Sequence, residues 1–331
     1  MQQIISVPPS EARTHKWYSC CAGVPTLIME HTFVVLLSIR ILISCLGLVG
    51  NVLLIAAVAL TKHSPVKSFE LFLLGLATAN LEEILIVSIY DVILLKMFHS
   101  LGTWWCGSFR FLTMFGEEAS IYFSVLISFF RYEKMRDASK RANVPVYLDS
   151  LKSAWMVSGI CVMLSTLLSF PMFFISLQSP AENITTDRST CPPDFFQCQR
   201  FRPQINCFYK YLFVVMCNLL PLIIITATSC LTLQALVSQG KTVTPELGLH
   251  GSSHSGKGPW FQRSTIDVLA AMILFQVVWI FYLVLQLTSD FSDLHFKSEI
   301  KFFIAICYTS ICPYVYGIGG HLFSLKIFIK R

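Results

Sequence analysis

The sequence predicts an all-α membrane protein, a bundle of seven transmembrane helices with its amino terminus outside the cell. Seven apolar stretches of roughly 20 to 28 residues run along the chain, and each is long enough to cross a bilayer as a helix. Composition agrees, because 54% of the residues are hydrophobic and only 13% are charged, against about a quarter charged in soluble domains. Membrane strands would instead be short alternating segments. Any functional site must therefore lie inside the helix bundle or in its loops.

The predicted helices follow one another along nearly the whole chain. They cover residues 33–60, 71–95, 106–131, 151–177, 210–237, 264–289 and 298–320. The resulting division is an extracellular amino-terminal segment (1–32), a seven-helix domain (33–320) and a short basic cytoplasmic tail (321–331). Residues 1–31 lack the clean apolar core of a signal peptide, so we expect the first helix to direct membrane insertion. Residues 238–263 are rich in Gly, Ser and His, which predicts a flexible loop.

Two independent features predict the orientation. The loops on one side carry fourteen Lys and Arg residues and those on the other side carry nine, which places the richer side and the tail in the cytoplasm. The loop between the fourth and fifth helices holds the sequon Asn183-Ile184-Thr185 and three cysteines, Cys191, Cys198 and Cys207. Glycosylation and lasting disulfides both require the luminal or outer side. The sequon alone could be an unused tripeptide. Its predicted outer position nevertheless agrees with the charge bias of the loops.

Short motifs recur at fixed places in the helices. They are Gly50-Asn51, Leu76-Ala77-Thr78-Ala79-Asn80, Cys106 after Trp104-Trp105, Phe130-Arg131-Tyr132, Trp155, Pro221 and Pro313-Tyr314-Val315-Tyr316. Taken singly, each is ordinary, since an Asn in a span often only joins helices and a Pro often only kinks one. In this order and spacing they resemble the rhodopsin-like superfamily of G-protein-coupled receptors, and the likeness covers residues 33 to 320.

Departures from the usual motifs of this superfamily indicate which of its subfamilies the chain resembles. The second helix has Asn80 where an acid is usual, which puts a sodium site in doubt, and the sixth has no proline between Val268 and Gln286. These features look like the vomeronasal type-1 receptors. The segments His63-Ser64-Pro65 and Leu74-Gly75-Leu76-Ala77-Thr78-Ala79-Asn80-Leu81 are most similar to the fish olfactory receptor class A-like branch. Bitter taste receptors usually lack the cysteine that opens the third helix, and this chain has Cys106.

The resemblance implies a chemosensory receptor in the plasma membrane, multi-pass and expected in a chemosensory neuron. It would bind a small pheromone or odorant, activate a heterotrimeric G protein and need no cofactor. The predicted coupling switch comprises Arg131, Tyr132, Asp267 and Tyr316. Arg131 lies 25 residues beyond Cys106, one full crossing of about 38 Å, and Asp267 is its candidate partner on the sixth helix. The alternative for Arg131 is simple anchoring by snorkelling. Cys106 has three candidate disulfide partners in the second extracellular loop, of which we favour Cys191.

Charged residues inside the spans are costly and indicate function by default. Arg110, Thr113, Met114 and Glu117 follow helical spacing, so they share one face of the third helix. Asn80, Glu83, Val87 and Asp91 likewise share a face of the second, whereas Glu82 and Glu118, about 100° away from their neighbours, must face other helices. The predicted ligand-binding residues are Arg110, Thr113, Met114, Glu117, Glu83 and Asp91. The alternative is an Arg–Glu network that only holds helices together.

Other classes of protein fit the sequence less well. A transporter would show paired halves with broken helices, and the sequence has no internal repeat. A membrane enzyme would need clustered nucleophiles or metal ligands, and no histidine falls inside a predicted span. Neither a metal site nor nucleic-acid binding is predicted. A bitter-taste-like or other rhodopsin-like receptor remains the nearer alternative.

Overall fold

The computed structural model describes residues 11–60, 67–96, 103–140, 147–177, 203–242, 258–287 and 294–319, and these ranges form seven helices without a strand. The predicted all-α class is therefore confirmed. The helices are α1 (Glu11–Leu60), α2 (Ser68–Lys96), α3 (Thr103–Lys140), α4 (Leu151–Leu177), α5 (Pro203–Phe213, Val214–Leu219 and Leu220–Thr242 in succession), α6 (Gly258–Leu287) and α7 (Leu294–Gly319). A short 3-10 turn, Tyr147–Asp149, precedes α4.

Several helices extend beyond the apolar stretches that predicted them. α1 begins at Glu11 rather than near residue 33, so part of the predicted amino-terminal segment is helical. α5 continues to Thr242 and α6 begins at Gly258, so both ends of the predicted flexible loop 238–263 are helical as well. Backbone hydrogen bonding continues a helix past the residues that face lipid, because hydropathy sets where a helix can cross and not where it ends.

The chain divides into two compact units, Met1–Leu42 and Ile43–Arg331, with the boundary inside α1. In the first unit, the Ser38 hydroxyl donates a hydrogen bond to the carbonyl of Val34 (2.8 Å), one helical turn earlier. Every contact described below lies in the second unit.

The third helix is the exception to the prediction of seven apolar spans. Within the described residues, six helices are long and apolar enough to cross a membrane, and α3 is absent from that group. It packs against α2, α4, α5 and α6, so much of its surface meets protein rather than lipid. A helix enclosed in this way can carry buried polar residues that satisfy one another. Glu117, Glu118, Ser120 and Ser124 of α3 are all buried.

A hydrogen-bonded chain of side chains joins four helices near the middle of the bundle. Asn51 of α1 donates to the carbonyl of Thr309 of α7 (3.1 Å). Asn80 of α2 donates to Asn51 Oδ1 (3.3 Å), and the hydroxyl of Ser120 on α3 donates to Asn80 Oδ1 (2.6 Å). Ser124, one turn further, meets the hydroxyl of Tyr308 at 2.8 Å. Buried polar groups that are paired in this way hold the helices in one register.

The fifth helix contains a π-helical turn shortly before Pro221. Val214–Leu219 is π-helical, and the Leu220 N–H donates to the carbonyl of Val215, five residues earlier. Pro221 has no backbone N–H, so it cannot donate the helical hydrogen bond to the residue four positions earlier. The π-helical turn before it is a local widening of the helix at this point. The helix continues through Pro221, and the turn leaves Cys217 and Asn218 buried.

Candidate functional site

The adjacent glutamates Glu82 and Glu83 of α2 lie close to Gly116 and Glu117 where α2 crosses α3. Gly116 makes this approach possible, because a Cβ added there would overlap the Glu82 carboxylate and lie 3.0 Å from Glu83 Cβ. Small residues at such points let two helices come close. The crossing brings the carboxyl of Glu83 into electrostatic contact with those of Glu82 and Glu117.

Residues of α6 and α7 complete this cluster. The hydroxyl of Tyr282 on α6 is hydrogen-bonded to the carboxylate of Glu117 and also lies in the field of Glu83. Lys301 of α7 is the nearby cation and interacts with Glu117. We call the set Glu82, Glu83, Glu117 and Tyr282 the acidic cluster. Three helices thus converge on one buried polar centre, and α7 supplies a positive charge beside it.

Glu118 turns away from this centre, as its 100° offset from Glu117 requires. Its carboxyl lies beside Ser169 of α4 and Cys217 of α5. The Tyr122 hydroxyl, one turn along α3, donates to the carbonyl of Met216 (3.4 Å) and lies 3.9 Å from the Cys217 sulfur. The π-helical turn of α5 therefore presents its backbone and side chains to α3.

One face of α6 carries polar atoms that find no hydrogen-bond partner among the described residues. These are the indole Nε1 of Trp279 and both the oxygen and the nitrogen of the Gln286 side-chain amide. Trp279, Tyr282 and Gln286 follow the spacing of one helix face, and Trp279 and Gln286 are 2% and 1% exposed. Tyr282 reaches Glu117 from this face, and Trp279 packs against Tyr282 with the ring centroids 4.9 Å apart. Buried polar groups of this kind normally have partners.

All six predicted ligand-binding residues are buried, but they do not all lie in the same cluster of side chains. Glu83 and Glu117 belong to the acidic cluster. Met114 instead packs in an apolar cluster with Met172 of α4 and with Tyr209 and Phe213 of α5. The other buried members of the predicted set are Arg110, Thr113 and Asp91. Arg110 and Asp91 both have interaction partners in the structure.

The sequence prediction did not include Tyr282, Trp279, Gln286 or Lys301. The first three carry polar atoms at the spacing of one helix face, which is the signal that could have identified them. Lys301 is one of the nine Lys and Arg residues that the charge count places on the outer side, so the prediction does not include it in the site.

The carboxyl-terminal part of α3 forms a second polar centre. The guanidinium of Arg131 lies 3.8 Å from the centre of the Phe69 ring on α2. Phe69 stacks in turn on Phe130, with ring centroids 6.0 Å apart. Arg131 also interacts electrostatically with Tyr316 of α7, which is buried. An aromatic face is thus one contact of the Arg131 guanidinium at this site.

One ion pair and one hydrogen bond fix the turn before α4 near the end of α3. Lys134 Nζ lies 2.6 Å from Asp149 Oδ2, and the hydroxyl of Ser68 donates to the carbonyl of Asp149 (2.9 Å). These bonds hold the 3-10 turn before α4 against the start of α2. Partial burial raises the pKa of Glu133, and the positive charge of Arg136 opposes that rise.

Several predicted residues lie outside the part that the structure describes. Asn183 and Cys191 fall in the undescribed stretch 178–202, and the side chain of Asp267 is likewise not described. Cys106 is buried and its sulfur is bonded in a disulfide. The pairing with Cys191 and the pairing of Arg131 with Asp267 stay predictions. No group of metal-ligating side chains occurs within the described ranges.

Comparison with known families adds one finding. Residues 50–316 match the model of the family described as 7 transmembrane receptor (rhodopsin family). The match covers well over half of the chain and includes both polar centres. No curated protein matches the chain.

Proposed function

The chain belongs to the rhodopsin family of seven-transmembrane receptors, and from this premise we propose that it is a chemosensory receptor. It binds a small pheromone or odorant inside the helix bundle and activates a heterotrimeric G protein. The family consists of membrane-spanning signalling receptors that couple to G proteins and bind small molecules; the chemosensory ligand is the proposal.

The acidic cluster and the α6 face opposite it support this function best. A site for a small ligand needs a few placed polar groups within an apolar surround, and Trp279 and Gln286 provide buried polar atoms that the described protein leaves without partners. The ligand site comprises Glu83, Asp91, Arg110, Thr113 and Glu117, with Met114 as an apolar wall and Tyr282 added from α6.

The Arg131 centre would be the output end of the receptor. Glu117 and Arg131 are fourteen residues apart on α3, about 21 Å along the helix, so ligand and G protein would occupy separate sites. The contact of Arg131 with Phe69 holds the guanidinium against α2 in this conformation. The ligand acts by favouring a second conformer in which Arg131 leaves that ring and meets the G protein. Tyr132, Asp267 and Tyr316 complete the switch.

The proposed orientation places the amino terminus and Asn183 outside the cell and the Arg131 end in the cytoplasm, in the plasma membrane. The charge bias of the loops supports this arrangement. A disulfide from Cys106 to Cys191 would then tie the second extracellular loop to the start of α3. Closing a loop of that length typically stabilises a fold by ~2–4 kcal/mol.

A signalling screen tests the proposal. Cells that express the full chain with a promiscuous G protein are exposed to waterborne amines, acids and steroids, and second-messenger release is measured. We expect a concentration-dependent response that Arg131→Ala abolishes while ligand binding survives, because the substitution removes the output contact and leaves the acidic cluster intact. Full signalling by an Arg131→Ala receptor at normal surface level would contradict the switch. A protein at the cell surface that answers no member of these classes would contradict the chemosensory assignment.

A further inference from the structure

Pro221 deprives the carbonyl of Met216 of a helical hydrogen-bond donor. In an α-helix that carbonyl would accept from the N–H of Leu220, four residues later, and in a π-helix from residue 221, five residues later. The Leu220 N–H is bonded to the carbonyl of Val215, and a proline has no N–H. A backbone carbonyl inside a membrane bundle then needs a donor from elsewhere in the protein.

The hydroxyl of Tyr122 on α3 supplies such a donor. It donates to the Met216 carbonyl across the interface of the two helices, at 3.4 Å, and the Tyr122 side chain is buried. The sulfur of Cys217 lies 3.9 Å from the same oxygen. A hydroxyl has one proton to donate and two lone pairs, so Tyr122 can accept from the Cys217 thiol while it donates to Met216. The π-helical turn of α5 is therefore bonded to α3 through one tyrosine oxygen.

The π-helical turn determines which face of the amino-terminal part of α5 meets the bundle. A π-helical turn contains one residue more than an α-helical turn, and one residue corresponds to about 100° around the axis. Tyr209, Phe213 and Cys217 are buried and lie in one apolar cluster with Met114 of α3. If the turn were α-helical, each of these places would be taken by the residue one position later. The ammonium of Lys210 would then lie where the ring of Tyr209 now lies.

We propose that Tyr122 is a positioning residue, whose hydroxyl takes the place of the N–H that Pro221 lacks and so holds the turn in its π-helical form. Through that turn, Tyr122 keeps Tyr209 and Phe213 in the cluster with Met114, which is the apolar wall of the proposed ligand site. The effect on the ligand site rests on the proposed receptor function. The hydrogen bond to Met216 and its effect on the turn do not depend on that function.

A double-mutant cycle tests whether one donor replaces the other. The unfolding temperature of the purified full-length protein is measured for the wild type, Tyr122→Phe, Pro221→Ala and the double variant. Tyr122→Phe removes only the hydroxyl and should lower the unfolding temperature by about 1–3 °C, the usual effect of one buried hydrogen bond. Pro221→Ala restores a backbone N–H, so the Met216 carbonyl regains a helical donor whether the turn stays π-helical or becomes α-helical. In that background Tyr122→Phe should cost at most about half as much, because two donors that serve one acceptor are not additive.

Tyr314→Phe is the matched control for the cycle. The Tyr314 hydroxyl also donates to a backbone carbonyl of another helix, that of Leu46 in α1 (2.7 Å). The residues four and five positions after Leu46 are Gly50 and Asn51, which both have an N–H, so this carbonyl keeps its helical donors. The cost of Tyr314→Phe should therefore be the same with and without Pro221→Ala.

Hydrogen exchange provides a second measurement, which does not require Pro221→Ala to fold. Exchange is followed by mass spectrometry in the peptides of α5 from the wild type and from Tyr122→Phe. The peptide that covers residues 214–222 should exchange about fivefold faster in the variant, because the turn opens more easily when the bond to α3 is lost. Peptides from residues 225–242 should exchange at the wild-type rate.

Three results would overturn the inference. They are an equal cost of Tyr122→Phe in the wild-type and Pro221→Ala backgrounds, unchanged exchange of residues 214–222 in Tyr122→Phe, and unchanged potency of an agonist on Tyr122→Phe at normal surface level. We expect the agonist concentration for half-maximal signalling to rise severalfold in that variant. The lack of any agonist would refute the receptor function without affecting the cycle or the exchange measurement, which need no ligand. An additive cycle would refute the role of Tyr122 and leave the receptor function intact.

Discussion

Replacing Phe69 with leucine should raise the activity of the receptor in the absence of ligand. In the structure the Arg131 guanidinium lies 3.8 Å from the centre of the Phe69 ring, and both side chains are partly buried. Cation–π contacts contribute about 0.5–1 kcal/mol at exposed sites and about 2 when desolvated, so ~1 kcal/mol is a fair value here. If the contact is made only in the inactive conformer, its loss raises the ratio of active to inactive receptor about fivefold.

Basal second-messenger release per receptor at the cell surface measures this effect. Phe69→Tyr is the matched control, because it keeps the aromatic face and should keep basal activity near the wild-type level. The leucine side chain retains an apolar group against Phe130, so the comparison isolates the ring. Equal basal activity in Phe69→Leu and the wild type, at matched surface expression, would refute the inactive-state contact. Equal increases in the leucine and tyrosine variants would refute the cation–π explanation.

The other predictions concern orientation, packing and the polar network. Glycosidase treatment should shift the mobility of the expressed protein, and Asn183→Gln should abolish the shift; protection of Asn183 as a cytoplasmic site would reverse the proposed topology. Gly75→Ala should lower the unfolding temperature because a Cβ there overlaps the Phe123 ring, whereas Gly159→Ala, with no atom within 4 Å of its Cβ, should raise stability by about 0.5–1 kcal/mol; equal effects would contradict the described packing. Asn80→Ala should cost about 1–3 kcal/mol by leaving buried partners on α1 and α3 unpaired, and an unchanged unfolding temperature would count against the network.

The positions of the apolar segments and the side chains that share a helix face follow from local sequence. A run of apolar residues determines that a segment can cross lipid, and the 100° step determines which side chains share a face. Glu83 and Asp91 on α2 and Glu117 on α3 are accordingly buried as the helical spacing predicts. The same step sets Glu118 apart from Glu117. These properties depend on a residue and its near neighbours in the chain, so the sequence alone was sufficient.

Which residues pack against each helix face depends on the tertiary structure. Spacing placed Arg131 at one end of α3 but could not predict that Phe69 of α2 would cover its guanidinium. Nor could it show that Tyr282 of α6 meets Glu117, or that α3 packs against four other helices. Helix packing depends on the fit of two surfaces that are distant in the chain, such as the space Gly116 leaves for Glu82 and Glu83. Sequence therefore determined the helices and their polar faces, and packing determined which of those faces became a site.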